Sequence, residues 1–397
     1  MKQRVQLWLR QEGTLGFLLF LAACCVVWSI FLSLFWGSHF IPHLAADDDT
    51  MQKTVIYFMM GGEDFYSAWR HATLICGDLS DLRIYRTPLV FYAVVFLTGW
   101  AGDAFVFPLS VLCVFVAASN VILSFWTARR ILGSGWAGIV ASFVQYAYFF
   151  NVIPKFQISL FAMPFLILAI YWAWQQRPWL AGGSLALSFL IKESFAFALP
   201  AILILYLIRR QFRQILITVT IFALAAILYL WHLFIAQPTF YPPLLFAATL
   251  PTTLNNLAGF LWFGFVALYY NVILPVVIGS EYPFSPIPPF IPHPVFLVLL
   301  SIQVILVWTP LLWATINMVR YRQHYELGIL GYLLWLIPLA ITATAPAISF
   351  SLLWIDFAIW RWFAPSYVGF QLLVATGWHQ IHQRIKKTQE TGIMPSN

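Results

Sequence analysis

The sequence predicts an all-α polytopic membrane protein, and three observations support this fold class. Of the 397 residues, 62% are hydrophobic and only 9% are charged, whereas a soluble globular domain carries about 25% charged residues. Aromatic residues make up 18% of the chain, as expected for a protein with many interfacial anchors. Long apolar segments alternate with short polar ones, which predicts one integral membrane domain over residues 1–397 with about 10–12 transmembrane helices.

The basic residues form short clusters between the apolar segments, as they do in the cytoplasmic loops of membrane proteins. The net charge of +7 is therefore not expected to indicate nucleic-acid binding. With both termini basic and cytoplasmic, residues 16–36 are predicted to be an uncleaved signal anchor in the cell (inner) membrane. The clusters are Lys2/Arg4/Arg10, Arg129/Arg130, Arg209/Arg210/Arg213, Arg320/Arg322 and Arg384/Lys386/Lys387.

Half of the acidic residues lie in one polar stretch that follows the first apolar segment. A carboxylate is costly inside hydrocarbon but not at the membrane interface. We therefore predict that residues 37–86 form an extracytoplasmic catalytic loop. The acidic residues of this stretch are Asp47, Asp48, Asp49, Glu63, Asp64, Asp78 and Asp81.

The loop after residue 177 allows two interpretations. Residues 179–191 and 195–208 form either two short helices joined at an outer turn or one long tilted helix. The single helix would bury the Lys192-Glu193 pair in mid-membrane, which is costly, so two helices are expected. The positive-inside pattern then places six further charged residues on the same outer face as the first loop: Lys155, Lys192, Glu193, Glu281, Asp356 and Arg361.

Two other segments depart from simple membrane spans. Residues 87–100 are too short for an average span and are predicted to form a partial or juxtamembrane helix. Residues 237–295 are predicted to form a second extracytoplasmic loop, in which an apolar stretch is re-entrant or interfacial. The proline density of residues 282–294 excludes a helix there and favours a stiff, extended backbone.

A helix is predicted to start in the first loop at Glu63 and Asp64, directly after the Gly61-Gly62 pair. Carboxylates at a helix N-terminus are favoured by the helix dipole. The following residues indicate an amphipathic helix on the membrane surface. A carboxylate there, near Arg70 and a low-dielectric boundary, can act as a general base towards an acceptor hydroxyl. The alternative is an acidic pair that only caps a helix on a solvated loop.

Three segments together resemble one enzyme superfamily. They are the stretch from Glu63-Asp64 to Tyr85-Arg86-Thr87-Pro88-Leu89, the Leu190-Ile191-Lys192-Glu193-Ser194 segment, and Trp360-Arg361-Trp362-Phe363-Ala364-Pro365 before the last span. This pattern resembles the GT-C fold glycosyltransferases, polytopic enzymes such as protein O-mannosyltransferases and lipid A aminoarabinose transferases. The acidic pair is Glu-Asp here rather than the commoner Asp-Glu, so the catalytic place is open between Glu63 and Asp64.

The resemblance implies inverting transfer of a sugar from a polyprenyl phosphate to an acceptor hydroxyl on the extracytoplasmic face. Asp64 or Glu63 would deprotonate the acceptor, which can be a protein, a lipid or a glycan. The leaving lipid phosphate would need cationic stabilisation. The cations available for it are Arg361, Arg86, Lys192 and Lys155, and the further site residues are Arg70, Glu193 and Tyr66.

Two alternatives concern the binding of a divalent cation and a different class of function. Asp47 and Asp49 are weak candidates for binding Mg²⁺ or Mn²⁺ through hard oxygen ligands, although such a short acidic run is usually a solvated loop. The alternative class is a multi-pass transporter or lipid flippase, which would carry ionisable or Gly/Pro-broken positions near mid-membrane in paired halves. The apolar segments carry few charges and show no matching halves, so a glycosyltransferase is preferred.

Overall fold

The computed structural model describes residues 13–35, 48–76, 87–150, 158–236, 304–322, 324–344 and 364–391. Over these ranges the chain forms only helices and their connecting turns, as the all-α prediction requires. The α-helices in these ranges are α1 (Thr14–Phe35), α2 (Asp48–Met60), α3 (Phe65–Cys76), α4 (Leu89–Thr98), α5 (Val106–Leu132), α6 (Gly135–Phe150), α7 (Ile158–Trp174), α8 (Pro178–Ile191), α9 (Leu199–Ile208), α10 (Phe212–Ala236), α11 (Thr309–Tyr321), α12 (Tyr325–Thr344) and α13 (Ala364–Thr391).

Two helices, Val106–Leu132 and Phe212–Ile235, are long and apolar enough to cross a membrane. In the most apolar 18-residue segment of each helix, only 28% and 17%, respectively, is buried inside the protein. The core helix of a soluble protein is mostly buried. Six shorter apolar helices accompany them in the described ranges. The chain is thus a helical protein with helices able to span a membrane, while the number of crossings and the side of each terminus stay predictions.

One end of the bundle collects helix termini that carry basic residues. Arg129, near the end of α5, donates to Thr14 Oγ1 at the start of α1, at 2.8 Å. Arg209, directly after α9, donates to the Trp174 carbonyl oxygen at the end of α7, at 2.9 Å. It also pairs with Glu326 at the start of α12, at 2.7 Å. We call this the basic end.

The described helices of the first loop lie at the opposite end. The Phe65 ring of α3 packs against Phe91 of α4, with centroids 5.1 Å apart. The ring centroid of Tyr57 in α2 lies 6.4 Å from that of Phe105, the residue that precedes α5. Because α5 runs from Phe105 to the arginines of the basic end, α2, α3 and α4 cap the far end of the bundle.

Residues 175–210 form two helices, as predicted. α8 ends at Ile191, Lys192 is extended (φ −147°, ψ 119°), and a 3₁₀ turn (Glu193–Ala198) leads into α9. Since Arg209 contacts Trp174, α9 returns to the level from which α8 started. Lys192 therefore lies at the far turn of this pair of helices.

Two helical segments extend further than predicted. The predicted juxtamembrane segment 87–100 contains α4 and continues as a 3₁₀ turn (Gly99–Ala104). Gly102 makes the bend before α5, with φ +52° and ψ −133°, a backbone conformation that favours glycine. The last span, which the apolar pattern predicts over about residues 362–378, continues as a helix to Thr391, because its basic tail has good helix formers and lacks a breaker.

Glycines bring α13 close to its two neighbours. A Cβ at Gly369 would overlap the Gly331 carbonyl oxygen of α12, and one at Gly377 would overlap the Pro310 carbonyl oxygen of α11. Small residues at such crossings allow membrane helices to approach closely. α11, α12 and α13 therefore pack backbone against backbone at these points.

We expect Gly369→Ala and Gly377→Ala each to lower the stability of the folded protein by about 1–3 kcal/mol, as overpacking does. Gly183→Ala in α8 is the matched control, because a Cβ there would meet open space and alanine favours the helix. Thermal unfolding in detergent should show lower midpoints for the first two variants only. Equal midpoints for all three would contradict this packing.

Candidate functional site

The loop hairpin, residues 48–76, turns through a glycine-dependent helix end. The Glu63 N–H donates to the Phe58 carbonyl oxygen at 3.2 Å, and the Gly62 N–H donates to the Met59 carbonyl oxygen at 3.1 Å. This pair of bonds is a Schellman motif, which requires a left-handed residue. Gly62 supplies it with φ +95°, so Glu63 and Asp64 follow directly from the turn.

Asp64 is the N-cap of α3. Its Oδ1 accepts the N–H groups of Tyr66 (2.9 Å) and Ser67 (3.2 Å), and its Oδ2 accepts the Ser67 hydroxyl at 2.6 Å. The Ser67 hydroxyl and these backbone donors hold the pKa of Asp64 below its ordinary value of 3.8. A carboxylate that accepts three bonds from its own helix is a weak base, which favours the capping interpretation for Asp64.

Glu63 has a different environment. Its Oε1 lies 3.1 Å from His71 Nδ1, two turns along α3. The His71 ring also stacks on Phe58 of α2, with centroids 4.0 Å apart and planes inclined by 10°. The two side chains remain 34% and 49% exposed. Glu63 and His71 thus form a carboxylate–imidazole pair that is open to the exterior of the described structure.

α3 is amphipathic, as predicted. Its inner face is buried against the bundle and contains Phe65, Ala68, Trp69 and Ala72, at the spacing of one helix face. Its outer face carries Ser67, Arg70, His71 and Leu74, which are all exposed. Arg70 therefore shares the accessible face with His71.

Tyr66 connects the loop hairpin to α10. Its hydroxyl lies 3.0 Å from His232 Nδ1, and the two rings are stacked with centroids 5.7 Å apart. Burial raises the pKa of Tyr66 above its ordinary value of 10.0, with smaller contributions from Tyr92 and Asp64. The hydroxyl therefore stays protonated at neutral pH.

His232 is a site residue that the sequence analysis missed. It is separated from Tyr66 by 166 residues and lies in the last turn of α10, with 9% of its surface exposed. The sequence feature that could have identified it is a histidine near the predicted outer end of an apolar segment. Ionisable groups in such segments often mark functional positions.

Lys192 lies at the same end of the bundle as the loop hairpin. The Thr87 hydroxyl, before α4, donates to the Leu190 carbonyl oxygen at the end of α8. The Phe189 ring packs against Tyr229 of α10 at 5.1 Å, one turn before His232. The end of α8, which Lys192 follows, therefore contacts both the start of α4 and α10.

Lys192 lies at a turn between two helices, as expected, but its side chain is buried. Only 3% of its surface is exposed, because the adjoining 3₁₀ turn packs against α12 and α13 as well as α8. Glu193 is half-buried beside it. Lys192 is thus a basic side chain held inside protein at the end of the bundle that contains Glu63.

Most of the remaining predicted site residues lie outside the part of the chain that the structure describes. Arg86, Lys155, Arg361 and Asp47 lie outside the described residues, as does the second loop, residues 237–295. The Asp49 backbone lies in the first turn of α2. The structure thus places the loop hairpin and Lys192 at the same end of the bundle, and the positions of the remaining cations stay predictions.

Comparisons with known proteins give no match, whether with family models, with curated proteins or with solved structures. Any functional assignment therefore depends on the residues of this chain. Within the described residues, no group of three or more His, Cys, Asp or Glu side chains is arranged to hold a metal ion. Binding of Mg²⁺ or Mn²⁺ by Asp47 and Asp49 stays an open alternative, since Asp47 lies outside the described residues.

The capping role of Asp64 leads to a stability prediction. Asp64→Ala should cost about 0.5–1 kcal/mol of helix stability, whereas Asp64→Asn should be nearly neutral because asparagine caps equally well. Because the pKa of the folded-state carboxyl is lowered, its contribution is present above about pH 4 and is lost as pH falls through the lowered pKa. Protease susceptibility of the loop hairpin at pH 7 should rise in the alanine variant only. An equal rise in both variants would contradict the capping geometry.

Proposed function

We propose that the protein is a membrane glycosyltransferase that transfers a sugar from a polyprenyl phosphate to an acceptor hydroxyl, with inversion. The observation that supports this most is the position of the Glu63-Asp64 pair on a helical hairpin at the end of the bundle opposite the basic end. A reaction with a lipid-linked donor needs its polar groups at the membrane interface, where charge is tolerated. The residue pattern shared with GT-C fold enzymes supports the same reaction.

The two carboxylates have separate roles in this proposal. Asp64 starts α3 and holds the turn, and its oxygens are occupied by the bonds described above. Glu63 is the carboxylate that remains available to activate the acceptor, directly or through its partner His71. The acceptor oxygen loses its proton as it attacks the anomeric carbon, which is general base catalysis.

Lys192 is proposed to stabilise the departing lipid phosphate. As the anomeric C–O bond breaks, its electron pair moves onto a phosphate oxygen, where negative charge develops. A cation with 3% exposure interacts with that charge more strongly than a solvated one. Arg86, Lys155 and Arg361 are predicted to approach the same phosphate from the parts of the chain outside the described residues.

Reconstituted vesicles provide a test of this function against the transporter alternative. The purified protein is incorporated with radiolabelled polyprenyl-phosphate sugars, and both the label on the lipid and its leaflet are followed. A glycosyltransferase separates the label from the lipid and leaves polyprenyl phosphate. Movement of the intact donor between leaflets, with the label still on the lipid, would contradict the proposal and indicate a flippase.

A further inference from the structure

A second group on the loop hairpin is placed to exchange a proton with the acceptor. His71 Nδ1 lies 3.1 Å from Glu63 Oε1. An ionised carboxylate only accepts hydrogen bonds, so a neutral His71 in this contact carries its proton on Nδ1. The other ring nitrogen, Nε2, then has a free lone pair on the opposite edge of the ring.

The ring is held in one orientation by two contacts at right angles to each other. Glu63 binds one edge, and Phe58 covers one face at 4.0 Å with nearly parallel planes. The side chain nevertheless remains 49% exposed, so the ring is not enclosed by protein. Fixing a base in advance in this way lowers the entropy cost of reaching the transition state.

We propose that His71 Nε2 is the atom that takes the acceptor proton, and that Glu63 is its orienting and charge-stabilising partner. This inference rests on the proposed glycosyltransferase function and names the base within it. Asp64 is excluded from the role because its oxygens are occupied in capping α3. The substrate class that fits an exposed imidazole on a surface helix is a hydroxyl presented from outside the bilayer.

The step balances as a single displacement. The acceptor O–H bond breaks and its proton moves to Nε2, while the acceptor oxygen forms a bond to the anomeric carbon. The bond from that carbon to the phosphate oxygen breaks, and its electron pair leaves with polyprenyl phosphate. The resulting imidazolium is stabilised by the Glu63 carboxylate and later loses its proton to water.

Chemical rescue tests the assignment. His71→Ala is expected to lower transfer from a polyprenyl-phosphate sugar by about 10²–10⁴-fold, and millimolar imidazole should restore part of the rate, because a free base can occupy the vacated place. His382→Ala, in the C-terminal part of α13, is the matched control and should leave the rate unchanged. His71→Gln tests packing, since it fills space near Phe58 without supplying a base, and it should remain as slow as the alanine variant.

Each outcome decides a different point. Full activity of His71→Ala, or recovery with His71→Gln but not with imidazole, would overturn the role of His71 and leave the glycosyltransferase function intact. Absence of turnover by wild-type protein with every donor of a polyprenyl-phosphate panel would overturn the function itself, and the inference with it. Loss in His71→Ala with rescue by imidazole supports both.

Discussion

Glu63→Gln is expected to lower the rate of sugar transfer at least about a hundredfold, the scale of a lost general base or of its partner. The substitution keeps the size of the side chain but removes the charge that orients His71 and stabilises its protonated ring. The effect should appear in kcat, because the charge matters when the proton moves. Steady-state turnover of a polyprenyl-phosphate sugar by the purified variant measures it.

Asp64→Asn is the matched control for that experiment. It also removes one negative charge, one residue further along the chain, but asparagine can keep the cap of α3. We expect its turnover to stay within a few-fold of the wild type. The reverse pattern, an inactive Asp64→Asn beside an active Glu63→Gln, would show that the capping carboxylate is the base and would contradict the division of roles.

Lys192→Met should reduce transfer by about 10²–10³-fold, the usual cost of removing one group that stabilises developing negative charge. Methionine has a similar length and suits a buried position. Removing one member of a buried polar contact destabilises a fold, so turnover is measured on folded variant protein. The expected result is a large loss of kcat in that folded protein.

The control for Lys192 is Lys386→Met, which removes one positive charge from an exposed position near the end of α13. Its turnover should equal that of the wild type. If the folded Lys192→Met protein instead turns over at the wild-type rate, Lys192 has only a structural role. That result would remove it from the phosphate site.

Local sequence signals predicted the parts of the fold that depend on neighbouring residues. The spacing of Phe65, Ala68, Trp69 and Ala72 is a one-face helical pattern, so α3 could be recognised as amphipathic without any tertiary information. The basic clusters indicated that α8 and α9 form a pair with Lys192 at the far turn. In the structure, the contact of Arg209 with Trp174 brings the end of α9 back beside the end of α7, so Lys192 lies at the far turn.

Contacts between distant segments could not be predicted in the same way. The Tyr66–His232 bond depends on how α10 packs against the loop hairpin, and no local pattern encodes it. Burial of Lys192 likewise depends on α12 and α13, which follow more than 100 residues later. The sequence left Glu63 and Asp64 equivalent, and the different hydrogen bonds of the two side chains now separate their roles.

The most direct test of the proposed function is the release of polyprenyl phosphate by the purified wild-type protein from a panel of polyprenyl-phosphate-linked sugars, with candidate acceptors present. The account predicts that at least one donor is consumed, that its sugar appears on the acceptor with inverted anomeric configuration, and that Glu63→Gln prevents this. Donors that all remain intact, or a product with retained configuration, would contradict it.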